Sequence, residues 1–440
     1  MKFIRILAIC ILIILLTNGN PGAETAAGDQ VKMLNLKEVI DLALRANHKM
    51  HIAAIDVEAS KHAKKEAFTE FLPKLKTEYG FTYLSEPNDV IFNDTRFIIG
   101  TQDNYLWTTS AVQDIFTGLA ILTGYQISDI KLEISDIRKA ATKLAIILEA
   151  KKGYYAVQNA KLLVEVALKS VKSLEDHLAV AKEYYDVGLT PKIDYLNSEV
   201  DLFTSLQALE KTKNKVVIAK AALSNIIDLS IEQPIDTAGT LTFSPFPLSY
   251  EECAGKAIEL RPGLKEAQKN IRVAEKKIRL ARSDYYPRIT ASVNYNRTGD
   301  RWYANGSDFE DRENWNVMLK STWTFWEWGK TRQAVLRSKE KLKKTFKEMD
   351  IVEDRIRFEV KEAYHYMKTA QHNIKVAEKS VASAEENLMI SQERYKEQVA
   401  IITEVLDADT RLTKARTFLT NALNEYNVAM ATLYWAVGME

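Results

Sequence analysis

The sequence predicts a mainly α-helical fold with a small β part, in which duplicated long helical hairpins join about four β-strands per chain. Three observations carry this expectation. The chain repeats its own plan: "YDVGLTPKIDYLNSE" at 185–199 is answered by "YKEQVAIITEVLDAD" at 395–409, with Tyr185 on Tyr395, Asp194 on Glu404 and Leu196 on Leu406. Apolar residues recur at alternating steps of four and three over spans far longer than an ordinary helix. Between these spans, apolar and polar residues alternate singly, the period of a strand with one apolar face.

The duplication extends through both halves. "LKEVIDLALRANHKM" (36–50) matches "YEECAGKAIELRPGL" (250–264), and "FLPKL" (71–75) matches "YYPRI" (285–289), which sets Pro73 on Pro287. A unit this long is a duplicated domain rather than a solenoid repeat. The expected division is a first repeat at 34–228, a linker at 229–247 and a second repeat at 248–437. Ahead of them, Lys2 and Arg5 precede an apolar run from Ile6 to Leu16 and then small, polar residues. That pattern predicts a signal peptide at 1–23, cleaved between Ala23 and Ala27. No later segment holds the roughly 18 consecutive apolar residues of a membrane-spanning helix, so any later span must be built otherwise.

Each repeat then reads in one order. A helical segment ends at Pro73 or Pro287. A strand follows, with Leu75, Thr77, Tyr79, Phe81 and Tyr83 on one face in the first repeat, and Ile289, Ala291, Val293 and Tyr295 in the second. A polar loop leads to a second strand. In "WNVMLKSTWTF" the residues Trp315, Val317, Leu319, Trp323 and Phe325 share a face, with Ser321 the exception. The period then changes to a heptad seam that runs from Leu342 through Ile356, Met367 and Ala377 to Tyr395. Its counterpart in the first repeat runs from Val164 to Tyr185, and Val405 to Leu433 continues the pattern after the break. A helix from about Leu119 to Asp186 is roughly 100 Å long, a length suited to a tube or stalk. At each break, Thr190 ahead of Pro191 and Thr403 ahead of Glu404 are the expected helix caps, with Glu404 and Asp407 in the first turn of the second return helix.

Composition excludes several function classes. With 60 basic and 59 acidic residues the net charge is +1, so no global field draws nucleic acid. After the leader only Cys253 remains, which rules out an internal disulfide. The sequence holds no nucleophile–base constellation, phosphate loop or CxxC motif, and the expectation is no enzyme, no cofactor and no metal. His48, His51 and His62, like His365 and His372, read as solvated helix histidines. The aromatic cluster "WTFWEWGK" (323–330) reads as a membrane-interface belt, giving Trp323, Phe325, Trp326 and Trp328, with Trp315 at the other end of the strand, as interface residues facing lipid.

About four strands with lipid-facing character cannot close a membrane barrel, whose smallest forms have about eight. Two chains would give about eight strands and a filled interior; three would give about twelve and leave a lumen. Here the chain resembles the TolC-like outer-membrane efflux proteins, or outer-membrane factors. The resemblance rests on the two openings at 36–50 and 250–264, on Pro73 and Pro287, on "DIFTG" and "FWEWGK" at strand-to-helix corners, and on the two hairpin tips. It implies a homotrimer with one shared β-barrel in the cell outer membrane and an α-helical tunnel in the periplasm. It implies a periplasmic adaptor (membrane fusion protein) and an inner-membrane transporter as partners. The function implied is the exit duct of a tripartite efflux or type I secretion system. The resemblance carries Glu404 and Asp407 onto an acidic ring at the tunnel entrance, and Asp194 and Tyr395 onto tip contacts between helices. Ala400 stands where some members carry a basic partner, and Gln398 stands where the first tip has Gly188. The alternative, a secreted periplasmic coiled-coil scaffold or adaptor, accounts for the hairpins but not for the strands.

Overall fold

The computed structural model describes residues 31–440; the signal-peptide reading of residues 1–23 and Cys10 lies outside them. The first repeat contains β1 (Lys32–Leu34), α1 (Leu36–Ala46), α2 (His48–Thr69), β2 (Lys74–Tyr83), β3 (Asp89–Phe92), β4 (Thr95–Ile98), β5 (Asp103–Phe116), α3 (Ala120–Asp186) and α4 (Lys192–Ile226). After β6 (Ile235–Thr237), the second contains α5 (Tyr250–Leu260), α6 (Pro262–Arg282), β7 (Arg288–Gly299), β8 (Glu313–Thr322), α7 (Lys330–Lys396) and α8 (Ile402–Val437).

Both repeats start on a capping box. Asn35 and Glu38 bond reciprocally ahead of α1, as do Ser249 and Glu252 ahead of α5. The single helix expected before each proline is in fact two, hinged at Asn47 and at Arg261. Both hinge residues have extended backbone, so the helix cannot run through them. Each hinge side chain reaches the end of its own repeat's return helix: Asn47 Nδ2 donates to the Ile226 carbonyl (3.0 Å), and Arg261 Nη1 to the Trp435 carbonyl (3.1 Å). Helix C-termini leave carbonyls without partners, and the bond from Asn47 satisfies one, while the Trp435 carbonyl also accepts from the Gly438 N–H (3.0 Å).

The long helices α3 and α7 each have 67 residues, matching the expected span, with return helices of 35 and 36. The seam on α7 is buried from Ile356 to Tyr395 through Val360, Met367 and Ile374, against Ala422, Tyr426 and Leu433 of α8. Above it, Phe346 is exposed because α8 is too short to reach that level. Tyr426 is fully buried and its hydroxyl donates to the Ser244 carbonyl (2.5 Å), which pins the inter-repeat segment to the second hairpin. β1 and β6 pair in parallel and pin the same segment to the start of the chain.

The four main strands form one antiparallel sheet in the order β2-β5-β7-β8. One row of partners runs Leu75, Ala111, Val293, Val317; the next runs Lys76, Ser110, Asn294, Asn316. Directly paired residues point to the same side, so the sheet has one apolar and one polar face, as the alternation predicted. Two details differ from the expectation. The polar loop after β2 folds into a small hairpin, β3–β4, held by Arg96 on Asp89 (2.7 Å). And β8 stops at Thr322, so Trp323 and Phe325 lie beyond the ladder rather than on a strand face.

Each strand-to-helix corner places two consecutive residues in the left-handed region: Gly118 (φ 60°) with Leu119 (69°), and Trp328 (51°) with Gly329 (81°). A Cβ at Gly118 would lie 2.4 Å from the Ser283 carbonyl oxygen, whereas one at Gly124, inside α3, meets nothing within 4 Å. Gly118→Ala is therefore expected to destabilise the assembled protein by more than about 1 kcal/mol, from φ alone before the clash. Gly124→Ala is expected to stabilise it by about 0.5–1 kcal/mol. Thermal melting of the two variants in detergent checks the opposite signs.

Candidate functional site

The two hairpin tips are built alike. At the first, Gly188 (φ 79°) closes the turn while its N–H donates to the Tyr185 carbonyl (2.9 Å). At the second, Gln398 (φ 58°) does the same to Tyr395 (3.0 Å). Gln398 thus holds the turn in a conformation that costs a non-glycine residue about 1–2 kcal/mol. The expected threonine caps are not formed. The caps are Pro191 and Ile401, both extended and without a side-chain bond. Thr190 Oγ1 is buried with no partner, and Thr403 lies inside the helix. The helix start at Ile402 leaves Glu404 in the first turn and moves Asp407 into the second.

The acids occupy distinct settings. Glu404 Oε2 accepts from Arg394 Nη1 at 2.9 Å, with both side chains about half exposed. Arg394 lies in the last turn of α7 and pairs with Glu404, not with Asp194 or Tyr395, so it does not replace the basic partner missing at Ala400. An exposed pair of this kind contributes about 0–1 kcal/mol. Asp407 is paired with no cation among the described residues; its charge acts on Asp201 of α4. Burial, then the charge of Asp407, pushes the Asp201 carboxyl above the ordinary carboxylate range, and burial does the same to Asp194.

Tyr395 ends the buried seam of α7. It is 5% exposed, its ring lies 5.6 Å from that of Tyr184, and its hydroxyl has no hydrogen-bond partner. Its pKa is pushed up to about 12, by burial first and then by the charge of Asp194 and by Tyr184. The structure therefore brings Asp194 and Tyr395 from different repeats into electrostatic reach without a hydrogen bond between them.

Sequence reasoning missed a second group just above the tip. Asp409 of α8 is 3% exposed and accepts from Ser173 Oγ of α3 (2.5 Å), beside the buried His177. Its signal was a carboxylate next to Ala408 on the apolar seam, where a solvated acid has no place.

At the other end, aromatic side chains cluster on the sheet's apolar face near Trp315 and just beyond the end of β8. Trp315 sits opposite Tyr295, with Phe81 stacked on Tyr105 (4.6 Å) at the same end. Trp323 donates from Nε1 to the Tyr285 carbonyl (3.1 Å) and lies 6.1 Å from Phe325, while Trp326 and Trp328 are 5.8 Å apart. From Trp315 to Trp323 is about 26 Å of extended chain, roughly 20 Å of height at the tilt of membrane-barrel strands and so most of the apolar band of about 25 Å. Among the described residues no helix is long and apolar enough to cross a membrane, and no His/Cys/Asp/Glu group is placed to hold a metal.

The partnerless Tyr395 hydroxyl gives a clear expectation. Tyr395→Phe removes a polar atom that pays for burial without a bond, so stability should stay level or rise by up to about 1 kcal/mol. Tyr395→Ala should lose about 3–5 kcal/mol by opening a cavity. Chemical denaturation of the two variants measures both; a loss above about 1 kcal/mol for the phenylalanine variant would mean that the hydroxyl has a partner in the assembly.

Known proteins share this architecture. The sequence profile described as outer membrane efflux protein matches residues 39–228 and 254–439. Outer membrane efflux protein BepC of Brucella suis biovar 1 (strain 1330) is 21% identical over 294 residues, spanning 66% of this chain and 63% of that relative's length. A membrane protein from Pseudomonas aeruginosa superposes with a TM-score of 0.81 at 16% identity, over 96% of each chain. The CmeC outer membrane channel of Campylobacter jejuni superposes with a TM-score of 0.77 at 16% identity, over 92% of this chain and 85% of that one. The structural likenesses establish the fold, and the profile, matched in both halves, establishes that the chain belongs to the outer membrane efflux protein family.

Proposed function

We propose that three copies of this chain form an outer-membrane channel, the exit duct of a tripartite efflux or type I secretion system. The observation that carries this reading is the open four-stranded sheet with one apolar face, continuous with helices about 100 Å long that end in an acidic tip. Three such sheets supply about twelve strands, enough for a closed barrel around a water-filled lumen. The apolar face, with Leu75, Val293, Val317 and Leu319, would meet lipid, flanked by the aromatic bands of Trp315 and of Trp323, Phe325, Trp326 and Trp328. The polar face, with Lys320 and Thr322, would line the lumen.

Six long hairpins would then form the periplasmic tunnel, with the tips toward a periplasmic adaptor and an inner-membrane transporter. The solved relative from Campylobacter jejuni is described as an outer membrane channel, which supports the same role here. A scaffold role leaves the apolar sheet face without a purpose. The work done in this reading is passage, which the match to the outer membrane efflux protein family supports. At the entrance, Glu404 and Asp407 of three chains would ring the axis, with Asp194 and Tyr395 packing the tip behind them. Clustered carboxylates in a narrow aqueous mouth attract cations and repel anions.

Two outcomes follow. Leu319→Arg should cost about 2–4 kcal/mol of assembly if the position is near the bilayer midplane, while Thr322→Arg should assemble normally. Equal yields of assembled protein from the two variants would reverse the face assignment. In planar bilayers the wild type should conduct cations in preference to anions and be blocked by multivalent cations from the tip side. The preference should weaken as pH falls and the carboxylates take up protons. Asp194 and Asp201, whose pKa values are raised, lose their charge before an ordinary carboxylate does. The double variant Glu404→Ala/Asp407→Ala should lose the block and still assemble. Unchanged selectivity and block in that variant would reduce these acids to helix-start charges.

A further inference from the structure

The first and second hairpins of one chain meet near the tips through α3 and α8. The joint is almost wholly apolar: Leu174 of α3 packs with Leu388 of α7 and with Val405, Leu406 and Leu412 of α8. One polar cluster interrupts it. Ser173 Oγ donates to Asp409 Oδ1 at 2.5 Å, and His177 Nε2 lies 3.3 Å from the same Ser173 oxygen and 3.9 Å from Asp409. His177 is 8% exposed and Asp409 3%. Ser173 and His177 are one helical turn apart on α3, so both face the same point on α8.

This geometry specifies a protonation state. The Ser173 hydroxyl gives its proton to Asp409, so it can only accept from the ring, which places the neutral imidazole's proton on Nε2. A second proton would go to Nδ1, for which no partner exists among the described residues. The charged ring would also sit beyond hydrogen-bond reach of Asp409, whose nearer oxygen the serine already occupies.

We propose that the Ser173–His177–Asp409 cluster is a proton-sensitive latch: it joins the outbound helix of the first hairpin to the return helix of the second, and releases it in acid. The charged groups that act on the ring are Asp409 from α8 and Asp176 from its own helix; both favour the charged form. From the other packed elements, α4 directs Asp201 toward Asp407 and Ser205 toward Ser170 (3.5 Å), and α7 offers the apolar Val381, Ala384 and Leu388. Burial outweighs the two carboxylates, and the ring's pKa lies below the free value of 6.5. The sign follows from linkage. A basic group whose pKa falls on packing stabilises the packed state above the free value, and that contribution is lost as pH drops from the free value toward the lowered one.

The latch is tested on the full chain in detergent by hydrogen–deuterium exchange of residues 169–181 and 405–413, corrected for the intrinsic pH dependence of exchange. In the wild type, exchange of both segments should accelerate between pH 7.5 and 5, by up to about tenfold per pH unit, the slope for one coupled proton. His177→Gln keeps an N–H for Ser173 and has no proton to gain, so its exchange should stay flat. A wild type without acceleration, or a His177→Gln variant that accelerates equally, overturns the proposal. Should that variant fail to assemble, Asp409→Asn carries the test. Removing a carboxylate that favours the charged ring should move the midpoint of the acid response to lower pH, and an unmoved midpoint overturns the latch as well. The readout needs no conduction, so it stands or falls independently of the duct reading on which the latch's consequence for opening rests.

Discussion

Backbone pairing in hydrocarbon is the constraint from which the rest of the structure follows. Within a bilayer an unpaired N–H or C=O costs several kcal/mol, so a sheet that enters it must have no free edge. This chain has two free edges, β2 and β8, on a sheet of four strands. The proposed remedy is other copies of the chain, and threefold closure then dictates the helical part. Every chain must deliver its helices at one end of the sheet, which the duplicated left-handed corners at Gly118–Leu119 and Trp328–Gly329 do. A glycine at only one site of each pair forces Leu119 and Trp328 into a conformation unfavourable for their type. The geometry of the corner therefore outranks local preference.

The middle of each hairpin is held by the paired hinges. Asn47 and Arg261 occupy matching positions, and each caps the return helix of its own repeat. They differ in cost. Asn47 is neutral, while Arg261 carries a charge into a site where burial lowers its pKa. Glu359 and the Trp435 ring, 4.3 Å from the guanidinium, compensate. The tips have no comparable anchor. They rely on the Leu174–Leu412 apolar cluster, the exposed ion pairs Arg394–Glu404 and Lys396–Glu393, and the buried Ser173–His177–Asp409 group. So few strong bonds make the tips the part of each hairpin with the least local stability.

Much of this was legible in the sequence, because long periodic patterns leave little choice. The seam from Ile356 to Tyr395 is buried almost residue for residue, and the strand faces follow the alternation. What escaped reading depended on contacts between distant segments. The hinge at Arg261 does carry a local signal, since Pro262 takes the first position of α6 and disfavours helical backbone just before it, but the bond to the Trp435 carbonyl spans 174 residues. The threonine caps failed because the extended residue falls at Pro191 and Ile401, and nothing local distinguishes one start from the next. Arg394 and Asp409 were passed over for a related reason. A charged residue in a helical pattern reads as solvated until its partner is known, Glu404 across the tip turn for Arg394 and Ser173 on the other hairpin for Asp409.

Shared closure of the barrel is the central claim, and the number of chains in the intact particle tests it most directly. Native mass spectrometry of the full chain, extracted from membranes in mild detergent, should give a single dominant species of three chains. A stable monomer or dimer would contradict it, since one chain cannot close the sheet and two would leave no lumen.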